Sequence, residues 1–338
     1  KRYGQSGRHT EQATLLGRAI ERLSHEQAQL QGAGLEQQLE LRERRRQLLL
    51  RLGDVQRDYL GAQAQAVATF EQVLSEWPKE PSALRALVSL YGGGATSASA
   101  PSSPEKQAEQ RRVLSLLFEA ASEPAERSRI MFQLGELDEK QGNQEEALRH
   151  YGQAFFLDPA NRPAFTSYER LCYLRKQWNE AIRMYDAALK LIDTQKTRSY
   201  RPADLHLRRG QVLLTYLQQP DEALPSYLRA LETDAENDNT QATLENIYAS
   251  RSQWRELLTV YEKRASLVRE DVKRVEILRR AAKVATAKLR DINEAVRYYE
   301  KLHAVDPTDS DALDALESHY KRSRDNEKLY NLLSTRVA

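Results

Sequence analysis

One stretch decides the fold: SRIMFQLGELDEKQGNQEEALRHYGQAFFLDPAN, Ser128–Asn161. Within it Leu134-Gly135 is followed by Ala147, Tyr151 and Ala154, and Pro159 closes the unit. A step of 34 residues brings Ala181, Tyr185 and Ala188 into the same places. The spacing recurs at Ala223, Tyr227 and Ala230, at Leu257 and Tyr261, at Ala295, Tyr299 and Pro307, and at Leu329 and Leu333. Upstream, Ala66, Phe70, Val73 and Pro78 fit it as well. A small residue lets two helices approach closely, and an aromatic ring one turn later fills the gap beside it while its hydroxyl stays wet. A fixed period with helical spacing inside each copy means stacked helical hairpins.

This small, aromatic, small spacing, with Leu-Gly before it and Pro after it, resembles the tetratricopeptide repeat over roughly residues 35–338, best at 128–161. Leu257 and Leu329 stand where that family prefers Ala, and Arg264 and Arg336 replace its second small residue. The resemblance implies an all-α, right-handed α-solenoid of about 17 helices in antiparallel pairs, without strands, whose first helices line a concave face. It points Arg129, Glu136, Arg170, Tyr173, Asn246 and Ser250 into that face as expected partner-binding residues. The family's clamp for a C-terminal carboxylate needs Lys and Asn at fixed inner positions, where this chain has Phe132, Glu136, Thr166 and Arg170. A chaperone-tail receptor is therefore not expected.

A longer period overlies the short one. Ala147 to Ala181, Ala223 to Leu257 and Ala295 to Leu329 are steps of 34, whereas Ala181 to Ala223 is 42 and Leu257 to Ala295 is 38. Units come in doublets, expected at 35–127, 128–202, 203–271 and 272–338, in one continuous solenoid that follows a 1–34 tail of a truncated repeat. The pairing resembles arrays of large bacterial scaffolding proteins. Leu217 and Leu289 extend the opening helix of the later doublets, and Trp178 and Trp254 open equivalent second helices as staples on the preceding helix. Tyr3 aligns with Tyr248 and Tyr320 and His9 with Trp254, so residues 1 to about 30 read as the tail of a unit whose opening helix is missing, and both ends of the chain read as continuing into further repeats. The final helix, with Leu329, Tyr330, Leu332 and Leu333, then offers an apolar end face for self-association.

Asp158-Pro159-Ala160-Asn161, Asp234-Ala235-Glu236-Asn237 and Asp306-Pro307-Thr308-Asp309 read as unit-closing turns whose acidic and amide oxygens cap the next helix. The Asp306, Asp309 and Asp311 cluster has the wrong spacing for a calcium loop. Gly92 to Pro104, rich in Gly and Ser, is an insertion between an opening helix and its partner, expected to be flexible and cleavable. Its three glycines lack the Gly-Lys-Ser/Thr of a phosphate loop. Thr194 to Pro202, with Lys196, Arg198 and Arg201, is a second, basic loop.

Catalytic chemistry finds little support. The six histidines (His9, His25, His150, His206, His303, His319) include no i,i+4 pair, so no helix face offers two metal ligands. Cys172, alone in its chain, excludes an internal disulfide and sits at a packing position; the compartment stays open between cytoplasm, which is favoured, and periplasm. No cofactor or metal is expected, and no apolar run reaches transmembrane length. With 51 Lys and Arg against 49 Asp and Glu among 338 residues, bulk charge does not select nucleic acid as a partner. Locally, Lys273, Arg274, Arg279, Arg280 and Lys283 form a basic patch on the opening helix of the last doublet, where an acidic partner would dock unless neighbours such as Glu276 pair with it. The expected function is a non-catalytic scaffold or adaptor that takes a peptide, helix or partner domain on the first-helix face. The alternatives are an RNA-binding helical repeat and a substrate-presenting accessory domain of a larger enzyme.

Overall fold

The computed structural model describes residues 2–29, 35–92, 103–195 and 199–337. Among them are 17 α-helices and no strand. A leading helix, α1 (Arg2–Gln29), is followed by eight helix pairs. These are α2 (Leu35–Asp58) with α3 (Gln63–Glu76), α4 (Pro81–Tyr91) with α5 (Pro104–Ala120), α6 (Pro124–Lys140) with α7 (Gln144–Leu157), and α8 (Arg162–Leu174) with α9 (Trp178–Gln195). The series continues with α10 (Pro202–Gln211) and α11 (Pro220–Thr233), α12 (Asp238–Ser250) and α13 (Trp254–Leu267), α14 (Asp271–Val284) and α15 (Ile292–Val305), and α16 (Ser310–Ser323) and α17 (Asn326–Val337). Two compact units, 1–171 and 172–338, divide the chain.

Within a pair the helices run antiparallel. Late in α6, Asp138 meets His150 of α7, whereas early in α6 Ser128 donates to the carbonyl of Ala154 near the end of α7. The small positions are the buried points of closest approach: Ala66, Ala147, Ala181 and Ala223 are fully shielded, as is Cys172. Tyr151 and Tyr185 are equally buried, but their hydroxyls are not left to water. Tyr151 donates to Glu139 Oε2 at 3.0 Å, and the Tyr185 and Tyr173 hydroxyls lie 3.3 Å apart, a ring on the second helix reaching back twelve residues to the first. In α15 the fully buried ring is Tyr298, beside the repeat-register Tyr299, which is only partly buried. Glycine supplies the close approach on the first helix, since a Cβ at Gly135 would stand 2.6 Å from the Tyr151 ring and one at Gly53 2.6 Å from Phe70.

Every described turn inside a pair follows one rule. The residue two before the second helix is left-handed: Gly61, Gly142, Lys176, Gln218, Ser252, Arg290 and Arg324, with φ between 54° and 80°. This closes the first helix by satisfying its last carbonyls. Asn143 N–H donates to Asp138 O, Gln177 N–H to Cys172 O, Gln253 N–H to Tyr248 O and Asp325 N–H to Tyr320 O, all at 2.8–3.0 Å. The extended opening helices end differently, in single π turns at Val212–Tyr216 and Ala285–Leu289. A π turn takes up added residues before the same left-handed exit.

The turns between pairs use the acidic motif as read. Asp158 and Asp306 accept from the N–H two residues on, and Asn161, Asn237 and Asp309 accept from the third N–H of the following helix. At the start of the chain α1 runs unbroken from Arg2 to Gln29, through the segment between Tyr3 and His9. Gly7 there makes no close approach and has no left-handed backbone, and a glycine inside a helix costs only about 1 kcal/mol. The inserted Gly92–Pro104 segment joins α4 to α5, and its residues 93–102 lie outside the described residues, as do Lys196 and Arg198 of the basic loop.

Candidate functional site

In the first unit, helices α4 and α6, both first members of their pairs, leave a groove of about 490 Å³ between them. Val88, Leu117 and Leu137 form its buried apolar floor, the second of these from α5. Arg85, Ser89, Gln110, Gln133, Glu136 and Lys140 form its polar walls. Gln133, Glu136 and Lys140 rise on one side because steps of three and four share a helix face. Across the groove Arg85 donates through Nε and Nη2 to Glu126 Oε1 at 2.9 and 2.6 Å, which ties α4 to α6 at one end. Glu136 is exposed at the groove wall, yet the partial burial it has there raises its carboxyl above its ordinary value; Lys140 opposes the shift, and nearby Glu139 adds to it. An apolar floor with paired donors and acceptors on its walls suits an extended peptide, whose backbone needs both.

The sequence-predicted residues fall into several places. Glu136 lines this groove, and Arg129, exposed, stands two turns before it on the same helix. Arg170 of α8 is committed to Glu139 of α6, to which its Nη2 donates at 2.6 and 2.7 Å. Glu139 thus joins Arg170, the Tyr151 hydroxyl and the field at Glu136 in one network. Tyr173 belongs to an aromatic cluster, edge-on to Trp178 at 5.3 Å and to Tyr216 at 6.0 Å. Asn246 and Ser250 are exposed on α12, the Ser250 hydroxyl donating back to Ile247 O.

The basic patch is paired throughout. Lys273 donates to Glu236 at 2.9 Å, Arg274 to Asp271 at 2.6 Å and to two backbone carbonyls, and Arg279 to Asp309. Arg280 pairs with Glu276 at 2.6 Å and with Glu245 at 3.3 Å, and Lys283 lies 3.7 Å from Asp311. Sequence reading missed Arg85, Gln133 and Lys140; the i, i+3, i+7 pattern of Gln133, Glu136 and Lys140 was the available signal. Among the described residues no group of three His, Cys, Asp or Glu side chains is placed to hold a metal, and no helix is long and apolar enough to cross a membrane.

The tryptophans show how copies correspond. Trp178 stacks on Tyr216 with centroids 3.9 Å apart and planes 8° from parallel. Lys288 lies over Trp254 at 5.3 Å, and His9 stacks on Tyr59 at 4.3 Å. Tyr59, Tyr216 and Lys288 all stand two residues before a left-handed turn residue, so three copies repeat one contact. A family model of the tetratricopeptide repeat matches residues 47–80, the end of α2, all of α3 and the turn after it. The chain carries a tetratricopeptide repeat there, within a solenoid of TPR-like helix pairs.

No curated protein matches the sequence of this tetratricopeptide-repeat chain. Solved structures similar to it include YrrB, described as a TPR protein with an unusual peptide-binding site, at 22% identity over 55% of this chain and 90% of that one, with a TM-score of 0.30. The C-terminal part of a TPR repeat-containing protein from Cytophaga hutchinsonii is 16% identical over 79% of this chain and 99% of that one, with a TM-score of 0.32. The yeast Sti1 TPR2AB domain, solved in a complex with pHSP90, is 16% identical over 62% of this chain and 88% of that one, with a TM-score of 0.28.

Proposed function

We propose that this tetratricopeptide-repeat array is a non-catalytic interaction scaffold that holds an extended peptide segment of a partner protein in the α4–α6 groove. Tetratricopeptide repeats generally mediate protein–protein interactions. The observation that carries the finer reading is the groove itself: an apolar floor of Val88, Leu117 and Leu137 walled by Ser89, Gln110, Gln133, Glu136 and Lys140. Arg129, exposed on the same helix, extends that face, and Arg170 and Tyr173 on the first helix α8, with Asn246 and Ser250 on the first helix α12, are proposed as further partner contacts. The four doublets at 35–127, 128–202, 203–271 and 272–338 are proposed as the structural repeat, supported by the shared Trp178–Tyr216 and Trp254–Lys288 contacts and the two π turns.

The test is selection of peptides from a displayed library with the full chain as bait, followed by titration of the winners against Ser89→Trp, which fills the groove, and Arg149→Glu, on the exposed face of α7. Groove filling is expected to weaken the selected peptides about tenfold or more, a loss of about 1.4 kcal/mol, while Arg149→Glu leaves them unchanged. Peptides that bind both variants as they bind the original chain would refute the site.

A further inference from the structure

The paired basic patch directs attention to cations that are not paired. At the edge of the second unit, an open groove of about 610 Å³ lies between the turn that joins α14 to α15 and the C-terminal end of α16. Leu289 and Ile292 give it an apolar strip, and Ile292 is 53% exposed. Arg290 and Arg322 line it, and Arg324 follows within the next turn. Among the described residues these three exposed arginines have no carboxylate partner, in contrast to Lys273, Arg274, Arg279, Arg280 and Lys283.

The local charge balance is positive. Two carboxylates belong to these turns, Asp291 and Asp325, and each is committed as a helix cap, accepting from Glu294 N–H and Lys328 N–H. Helix dipoles nearly cancel here, because each turn sets the C-terminus of one helix beside the N-terminus of the next. Arg290 and Arg324 also hold left-handed backbones, at φ 54° and 58°, where glycine would cost less. The fold therefore presents guanidinium groups at two positions that favour a residue without a side chain. His319, half-buried at the groove wall, packs its ring against Tyr320.

We infer that this turn edge is a second docking surface, separate from the α4–α6 groove, and that it takes an acidic peptide segment carrying an aliphatic side chain. The carboxylates meet Arg290, Arg322 and Arg324, since planar guanidinium forks suit carboxylate geometry, and the aliphatic group covers Leu289 and Ile292. Two cap carboxylates against three free guanidinium groups select a flexible acidic segment over a neutral one, with attraction that weakens as salt rises.

The probe is a fluorescein-labelled peptide alternating glutamate and leucine, read by anisotropy against the full chain, with its glutamine counterpart as the neutral control. Binding is expected to weaken by about twofold to fivefold for Arg322→Glu and for Arg290→Gly, the scale of one surface ion pair, and to be unchanged for Arg280→Glu. Arg290→Gly separates the two roles of that position, since it removes the charge while relieving the left-handed backbone: its melting temperature should hold or rise as its affinity falls. Equal binding of the glutamine peptide, retained affinity in Arg290→Gly and Arg322→Glu, or binding of oligouridylate or phosphatidylserine vesicles without the acidic peptide would each overturn the assignment.

Discussion

Replacing Lys176, Gln218, Ser252, Arg290 and Arg324 by glycine, singly and then together, is expected to stabilise the array. Each holds a left-handed backbone, with φ of 54–58°, at the exit of a first helix. That conformation costs a residue with a Cβ roughly 1–2 kcal/mol. Glycine gives back roughly 0.5–1 kcal/mol through its greater freedom in the unfolded chain, so the net gain is about 0.5–1 kcal/mol per site. The turns lie 34–42 residues apart and share no hydrogen bond, so the gains should add to about 2.5–5 kcal/mol across the five. Repeat arrays need not unfold in one step, and the assay is therefore doubled: urea denaturation followed by circular dichroism, and hydrogen exchange at the amides that the turn protects, Gln177, Gln253 and Asp325. Those amides should exchange more slowly in the glycine variants. The mirror control is Gly142→Ala, which forces a Cβ onto φ 80° and should lose about 1 kcal/mol or more. Glycine variants no more stable than the original, or a neutral Gly142→Ala, would refute the reasoning that the turn imposes this conformation against the side chains that occupy it.

Gly135→Ala places a methyl 2.6 Å from the Tyr151 ring and should destabilise the first unit by about 1–3 kcal/mol in urea titration, with Tyr151→Leu in the same chain restoring part of the loss. Asp309→Ala removes both the cap to Ala312 N–H and the partner of Arg279, so it should cost about 1–2 kcal/mol and loosen α16 first, visible as faster exchange at its opening amides. The pH dependence has opposite signs at two carboxylates. Asp238 is held low, chiefly by the hydrogen bond from Arg264, so its contribution is present above the ordinary Asp value near 4 and is lost as pH falls below it, whereas Asp238→Asn should flatten that limb of the acid titration. Glu136 is held high by burial and disfavours the fold as pH rises past the ordinary Glu value, so Glu136→Gln should be more stable than the original at pH 7 and equal to it near pH 3, a difference measured by thermal melting at the two pH values.

Much of the fold was legible because the repeat encodes local physics. Small and aromatic positions fix where two helices touch, and Ala147, Tyr151 and Cys172 are buried where the spacing put them. The turns were equally readable, since capping by Asn161, Asn237 and Asp309 spans three residues and needs no tertiary partner. The equivalence of Trp178 and Trp254 as helix openers also holds. Less legible was the α4–α6 groove: Glu136 was identified, but Arg85 comes from a helix two elements earlier, and no local pattern announces that it faces Gln133 and Lys140.

By itself the sequence determined the hairpin unit and its register, because these depend on contacts within a helix or across one short turn. Only the tertiary structure decided which charges are spent. Lys273 meets Glu236, Arg279 meets Asp309 and Arg280 meets Glu245, partners 37, 30 and 35 residues away. Stacking one helix pair on the next sets residues about a repeat apart side by side, so a run of five cations is neutralised while Arg290, Arg322 and Arg324 at the turn edge remain open. The same packing decided the backbone of the turns. Lys176, Gln218, Ser252, Arg290 and Arg324 have no intrinsic preference for a left-handed conformation, and they adopt it because the two helices they join are locked face to face by burial worth more than the strain at one residue.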